Sequence, residues 1–469
     1  MNRPLEPETV DQSDVAAARQ RVERLAAERS VEFVHLQFID IPGAIKGVSV
    51  PVERLGDCLE NGVWFDGSSI EGFARLAETD LYLMPEPSSF ALVPWERPTT
   101  ARLLCNLVTP SGEPFAADPR FVLKRALDDA AELGYSYRVG AEVEFYLFED
   151  RASERASDVT ASRGRAGRAE SHPLVPSDTR SYFELPDERA AAICQSAVKV
   201  LRSFGYNVAA THHEVSPGQH EIDLGEDDAL RTADAIVTLK LVVRALAARS
   251  GLFPTFMPKP LEKASGSGVH LSQMLIERSS ESNAFFDAHG EHQLSPTGRS
   301  FVAGQLAHAR GMSAVLAPLV NSYKRLLGGD EAPAQVDWAR LNRGAFIRLP
   351  EAAQASACVI EVRAPDPSCN PYLALAVLLQ SGLDGIRSDT PLTAPAEPTT
   401  RAELTEDSTV DRLPSTLGEA LEEIEWDMVV RSGLGQPVYE RFAAAKEQEW
   451  LAYRHHISNW EIDTYLESA

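Results

Sequence analysis

The chain has 469 residues, enough for two or three hydrophobic cores at roughly 100–200 residues per domain. Hydrophobic residues make up 44% and charged residues 24%, which excludes wholesale disorder and fibrous repeats. A formal charge of -24 disfavours a nucleic-acid partner, and the longest apolar run, Leu373–Leu379, is far too short to span a membrane.

The N-terminus has no basic stretch followed by an apolar core, so no secretory signal is read and a cytoplasmic location is expected. Asp14–Arg29 predicts a helix, Val31–Phe38 a strand, and Ala44–Val50 a second strand after the turn-forming Ile-Pro-Gly. Val52–Glu60 reads as helical, and Gly67–Pro94 as short strands broken by Pro and Gly. This small α+β unit ends near residue 110, with Gly112 and Pro114 as a linker. The division expected is 1–112 and 113–469.

Beyond the linker, Asp118–Leu133 keeps helical spacing and Ser136–Phe148 alternates as a strand. Arg151–Thr179, with five arginines between Arg151 and Arg168, reads as a solvated, mobile surface loop. Helices follow at Glu188–Phe204, Asp227–Ser250, Thr297–Leu316 and Pro371–Ile386, with strands between them. Ser388–Arg412 is a Pro, Thr and Ala-rich connection, and the chain from Leu417 is largely helical. The cysteines, Cys58, Cys105, Cys194, Cys358 and Cys369, are odd in number and scattered without a CxxC pair. That argues against a disulfide framework and a zinc site, and for buried structural thiols.

The chemistry concentrates in the strands. Glu142 and Glu144 are two apart in the predicted strand, so both carboxylates project from one face. A cation beside them relieves the repulsion, although an exposed strand face also tolerates such a pair. In His212-His-Glu-Val-Ser-Pro-Gly-Gln-His-Glu221, the Pro217-Gly218 turn can fold Glu214 and Glu221 back to the same locus. Glu361 lies in an apolar stretch where an unpaired charge is costly, and His270 follows a Gly-rich segment in a similar setting, where a lone His is usually a satisfied core residue. Carboxylates with one imidazole fit Mg²⁺ or Mn²⁺ better than zinc and point to a polyphosphate substrate. Arg325, Arg343, Arg348 and Arg363 have apolar flanks and call for anionic partners, a phosphate or a structural carboxylate.

From about residue 30 to 466 the ordered segments resemble the type I glutamine synthetase family. They are FDGSSIEGF (65–73), AEVEF (141–145), HHEVSPGQHEID (212–223), TFMPKP (255–260), GSGVH (266–270), NSYKRL (321–326), EAP (331–333), NRGAFIRLP (342–350), EVRAPDPSCNPYL (361–373) and NWEIDTYLE (459–467). The resemblance implies a small β-grasp-like N-terminal domain and a catalytic domain with a curved antiparallel sheet flanked by helices. It further implies a metal ion, Mg²⁺ or Mn²⁺, at Glu144, Glu214 and Glu221 and a second at Glu142, His270 and Glu361. Ser265, Gly266, Arg325 and Arg363 would hold glutamate, while Ser272, Arg343 and Arg348 would meet ATP, with Arg343 and Arg348 facing the transferring phosphate. Asp66 would take the proton from ammonium and Glu331 would serve on a closing flap. The implied assembly is a homo-oligomer, a dodecamer of two hexameric rings, with no membrane or nucleic-acid partner.

The implied activity is ATP-dependent condensation of glutamate with ammonia through γ-glutamyl phosphate. Departures from the family pattern cluster at the ligands. Ser265 stands where many members have Asn, Ser272 and Met274 where a His and a Ser line the nucleotide site, and Val359 where a basic residue meets phosphate. They open two alternatives: a γ-glutamyl amide synthetase for an organic amine or polyamine, and an inactive regulatory homologue. No tyrosine occurs between Thr390 and Pro414, so control by adenylylation is not expected, whereas Arg75 resembles the arginine used for glutamine feedback.

Overall fold

The computed structural model describes residues 12–67, 80–149, 175–327, 332–352, 354–397 and 410–468. Two compact units emerge. One comprises the chain to Asp40 with Ala44–Phe121, and the other Ile41–Gly43 with the chain from Val122.

In the first unit, helix α1 (Gln12–Glu28) precedes strands β1 (Phe33–Ile39) and β2 (Ile45–Pro51). Helix α2 (Leu55–Asn61) follows, then β3 (Val63–Asp66), β4 (Asp80–Pro85), β5 (Ala91–Val93) and β6 (Thr100–Val108). The sheet order is β2-β1-β6-β4-β3, with β5 also beside β6. β6 runs parallel to β1 and antiparallel to β4 and β5. Its Ala101, Leu103, Leu104, Cys105 and Leu107 are all buried, so both of its faces are covered. With Thr100 and Arg102 buried as well, the strand lacks polar-apolar alternation, and for this reason it goes unread in the sequence.

The second unit takes over within α3 (Pro119–Glu132), where Asp118 caps by accepting from Arg120 N at 3.0 Å. Strand β7 (Tyr135–Glu149), helix α4 (Glu188–Ser203), β8 (Val208–His213), β9 (Gln219–Asp228) and α5 (Ala229–Arg249) follow. Next come β10 (Leu252–Thr255), β11 (Val269–Glu277), α6 (Pro296–Ala307), α7 (Ala309–Leu316) and α8 (Ser322–Leu326). Strands β12 (Trp338–Ala339), β13 (Ile347–Arg348) and β14 (Ile360–Val362) precede α9 (Pro371–Arg387). The last helices are α10 (Leu417–Trp426), α11 (Met428–Leu434), α12 (Gln436–His455) and α13 (Asn459–Tyr465). The strand order is β12-β13-β14-β11-β7-β9-β8, with β10 beside β7. Every pair is antiparallel except β12 with β13, so the sheet is mixed at that edge. The α+β class is as expected.

The Leu373–Leu379 run is the buried heart of α9, where each fully buried Leu contributes about 1.5–3 kcal/mol. Packing of α9 on α6 is close because Gly304 faces Gly385; a Cβ on Gly304 would meet Gly385 Cα at 2.7 Å. Among the described residues no helix is long and apolar enough to cross a membrane. All five cysteines are buried and free.

Three sequence expectations need correction. Thr297–Leu316 is two helices, broken at His308, whose Nδ1 lies 2.8 Å from Asp427 and Nε2 3.3 Å from Asp384. That bridge is a tertiary contact with no local signature. The helix expected from Asp227 starts at Ala229, because β9 runs on to Asp228, which then caps the helix through Leu230 N. Residues 175–179, expected within a mobile loop, are pinned to β7: Glu149 N donates to Val175 O at 2.9 Å and Ser177 N to Leu147 O at 2.9 Å. The five arginines, Arg75 and Glu331 lie outside the described residues.

Candidate active site

Strand register builds the site. His270 of β11 is opposite Glu142 of β7, Glu144 is opposite Glu221 of β9, and Glu221 is opposite His212 of β8. On the other flank Ser272 is opposite Glu361 of β14, which is opposite Arg348 of β13. Paired residues share a face and side chains repeat every second residue, so one face of the sheet presents this entire row.

Glu214 is brought to the row by the turn between β8 and β9, where Gly218 has φ +72 and a Cβ there would meet Leu147 O at 2.9 Å. The six expected metal-site residues thus converge on one locus. His270 Nδ1 lies 2.9 Å from Glu142 Oε2, and its Nε2 lies 3.6 Å from Glu144 Oε1. His212 lies 3.1 Å from Glu221 through Nε2 and 3.3 Å from Glu214 through Nδ1. Ligand atoms of Glu142, Glu221 and His270 all fall within 4.8 Å of one another, and so do those of His212, Glu214 and Glu221. Glu221 therefore belongs to both groups. Glu361 is 4.0 Å from His270 Nδ1 and is ion-paired with Arg348, at 2.9 Å, and with Arg363.

Burial of so many carboxylates is electrostatically costly. Glu144 is pushed up to about 8, chiefly by burial, with Arg325 opposing and Glu214 adding to the rise. Glu221 is pushed up to about 11 by burial and then by Glu144 and Glu142. Burial also raises Glu142 against the opposing arginines, and it drives His270 well below its ordinary value. Carboxyls whose charged forms are disfavoured by burial and by one another, beside the buried imidazole of His270, are the donor set that a divalent cation would stabilise in charged form. The buried Asp223 Oδ1 and Gln219 Oε1 have no hydrogen-bond partner among the described residues, leaving further acceptors at the same locus.

Two cavities flank the row. One, of about 420 Å³, is lined by Ser265, Gly266, Lys259, Arg325 and Arg363 along with Glu144 and Glu214. The other, of about 260 Å³, is lined by Arg343, Arg348, Tyr182 and His212 along with Glu142 and Glu221. Arg325 is buried and fans onto carbonyls: Nη1 donates to Ala364 O at 2.8 Å and Nη2 to Arg363 O at 2.8 Å. Arg343 is exposed. Ser265 is exposed, held by Tyr146 Oη donating to its carbonyl at 2.7 Å. Ser272 is half-buried, Met274 buried and Val359 half-buried; none of the three lines either cavity. Asp66 is exposed at the end of β3 in the first unit.

Sequence reasoning gives no role to His212, Gln219 or Lys259. Gln219 Nε2 donates to Glu144 Oε2 and to Gly266 O, both at 3.0 Å, tying a carboxylate to the Gly-rich segment. His212 is legible in principle: the Pro-Gly turn that returns Glu221 to the locus pairs it with His212.

Similarity to known proteins agrees with this geometry. Residues 116–465 match the family model described as glutamine synthetase, catalytic domain, and residues 30–110 that of the glutamine synthetase β-grasp domain. The chain is 43% identical to the glutamine synthetase of Halobacterium salinarum over 452 residues, 94% of each chain. It is 39% identical to that of Thermotoga maritima over 451 residues, 95% of this chain and 98% of the other. Among solved structures it is similar to ligand-free GmaS, with a TM-score of 0.81 at 30% identity over 95% of this chain and 99% of that one, and to a GmaS/ADP complex with a TM-score of 0.80. The chain belongs to the glutamine synthetase family.

Proposed function

We propose that this chain is an ATP-dependent ligase that condenses glutamate with ammonia to give glutamine. The carrying observation is the carboxylate and imidazole row of Glu142, Glu144, Glu221 and His270 between two cavities, one with Arg325 and the other with Arg343 and Arg348. Such an arrangement suits two anionic substrates whose reacting ends meet at the row.

In this reading Arg325, Arg363, Ser265 and Gly266 orient glutamate so that its γ-carboxylate oxygen faces the terminal phosphorus of ATP. Arg343 and Arg348 hold the nucleotide, with the guanidinium of Arg343 meeting charge that develops on the transferring group. Attack forms the acyl-phosphate bond and releases ADP; ammonia then attacks the acyl carbon and releases inorganic phosphate. By the family resemblance, an Asp66 supplied by a neighbouring subunit would accept the ammonium proton, and Glu331 would serve to exclude water. Mg²⁺ or Mn²⁺, two or more per chain, would be held by Glu144, Glu214 and Glu221 and by Glu142, His270 and Glu361. When bound they neutralise the polyphosphate. His212, within reach of both Glu214 and Glu221, joins this set.

The working division is an N-terminal domain over 1–112 and a catalytic domain over 113–469, and the working assembly is a cytoplasmic double-hexamer dodecamer. Purified protein with Mg²⁺, ATP and glutamate is offered ammonia, diamines, polyamines and ethanolamine, and phosphate release is followed. Release with ammonia supports the proposal. Preference for another amine reassigns the acceptor, and no release with any amine, together with no nucleotide binding, removes the ligase.

A further inference from the structure

The β8–β9 hairpin carries ligand-type side chains on both faces. His212 and Glu221 pair across it on the active-site face; one residue further on, His213 and His220 pair with each other and so point the opposite way. Both of those rings are fully buried, with centroids 4.8 Å apart. Asp178 reaches them from the pinned segment that follows residue 175. Its Oδ1 is 2.8 Å from His213 Nε2, and its Oδ2 is 4.0 Å from His220 Nε2.

The hydrogen-bond inventory of this cluster does not close. His213 Nδ1 lies 2.6 Å from the carbonyl oxygen of Glu214, which can only accept, so Nδ1 carries a proton. In a neutral ring Nε2 then presents its lone pair to a carboxylate oxygen. An imidazolium at His213 would settle that contact but leave His220, neither of whose ring nitrogens has a hydrogen-bond partner among the described residues. Asp178 Oδ2 has none either. Leaving one such buried group unsatisfied costs about 1–3 kcal/mol, so a cluster of three calls for an occupant.

We propose that Asp178, His213 and His220 bind a transition-metal dication of the zinc class, separate from the carboxylate-rich locus on the opposite face. One ligand atom from each residue lies within 4.8 Å of the others. The two carboxylate oxygens each face one imidazole, Oδ1 at 2.8 Å from His213 and Oδ2 at 4.0 Å from His220, either side of the separation of about 3.3 Å between ligands in tetrahedral zinc geometry. Two imidazoles and one carboxylate select zinc over magnesium, which prefers oxygen alone. The Nδ1–H bond to a backbone carbonyl is the outer contact that fixes the tautomer of a metal-binding histidine. No cysteine takes part, so the scattered thiols give no hint of it. The ion ties the segment at Asp178 to the hairpin, one residue away from both Glu214 and Glu221, and so braces the backbone from which those carboxylates project. This inference is independent of the proposed reaction.

The test uses the full-length protein, stripped with a chelator and given one equivalent of Zn²⁺ in excess Mg²⁺. One zinc per chain is expected to survive gel filtration, with an X-ray absorption spectrum showing two imidazoles and oxygen. D178N and H220N are each expected to weaken zinc binding about tenfold or more, while E144A, on the opposite face, keeps it. No retained zinc, a shell without imidazole, or unchanged affinity in both variants overturns the site. If the variants do not fold, the spectrum of H212A decides, since that change leaves a single imidazole on the opposite face: two imidazoles on the zinc support the site, and one or none overturns it.

Discussion

Glu144 and Glu221 sit opposite each other across the β7–β9 pair, and both are buried. The charge of Glu144 raises Glu221, and Glu144 itself stands at about 8 against an ordinary 4.5. The folded state therefore holds protons on this pair that the unfolded chain releases. For Glu144 the resulting stabilisation is complete below about pH 4.5 and is lost as pH rises through about 8. Without divalent cations, Tm should fall over that window. Added Mg²⁺ restores it by binding the charged form, so the Mg²⁺-dependent rise in Tm should grow from about pH 6 to about pH 8.5. In E144Q that growth should shrink, as differential scanning fluorimetry would register.

Glu144 also anchors the locus to the Gly-rich segment, accepting from Gly268 N at 3.1 Å and from Gln219 at 3.0 Å. Replacing it with Ala removes a carboxylate from the centre of the row. Turnover should drop by about a hundredfold or more, a loss of roughly 2.7 kcal/mol in transition-state stabilisation. Circular dichroism should show the fold intact. Near-normal turnover in E144A would contradict the assignment of this residue.

Gly268 is a close-approach position. A Cβ there would lie 2.5 Å from Arg325 Nη2 and 3.1 Å from His270 Nε2. G268A should therefore displace both side chains at a cost of about 1–3 kcal/mol in stability. Because Arg325 lines the first cavity, KM for glutamate should rise more than KM for ATP. Steady-state kinetics with each substrate varied in turn separates the two.

Val359 lies two residues before Glu361 and is half-buried. It immediately precedes β14 and lines neither cavity itself, but it is two residues from Glu361, which lines the cavity of Arg343 and Arg348, so a long side chain here is within reach of that cavity. A guanidinium placed here adds a charge-assisted contact to phosphate worth about 1.5–3 kcal/mol. V359R should tighten ATP binding about tenfold, measured by calorimetry with a non-hydrolysable analogue. No gain would show that phosphate does not reach this strand.

Much of this site is legible in the amino-acid sequence. The strand expected at Ser136–Phe148 is observed as Tyr135–Glu149, and its period of two places Glu142 and Glu144 on one face. The Pro217-Gly218 turn returns Glu221 to Glu214, as its residues imply. What escapes reading depends on partners distant in sequence. β6 is buried on both sides and so has no alternation, and the break at His308 is set by Asp384 and Asp427. The bond from Gln219 to Glu144 spans 75 residues. Asp178 reads as part of a solvated loop because its segment is polar, yet its side chain is buried against His213.

Phosphorylation of the γ-carboxylate of glutamate by ATP, at the row of carboxylates on β7 and β9, is the step on which the proposed reaction depends. It is tested most directly with glutamate labelled with ¹⁸O in that carboxylate, incubated with Mg²⁺, ATP and ammonia. One labelled oxygen should appear in each inorganic phosphate released, in step with glutamine. Phosphate carrying only solvent or ATP oxygen would mean that no acyl phosphate forms, and the reaction assigned to this site would be wrong.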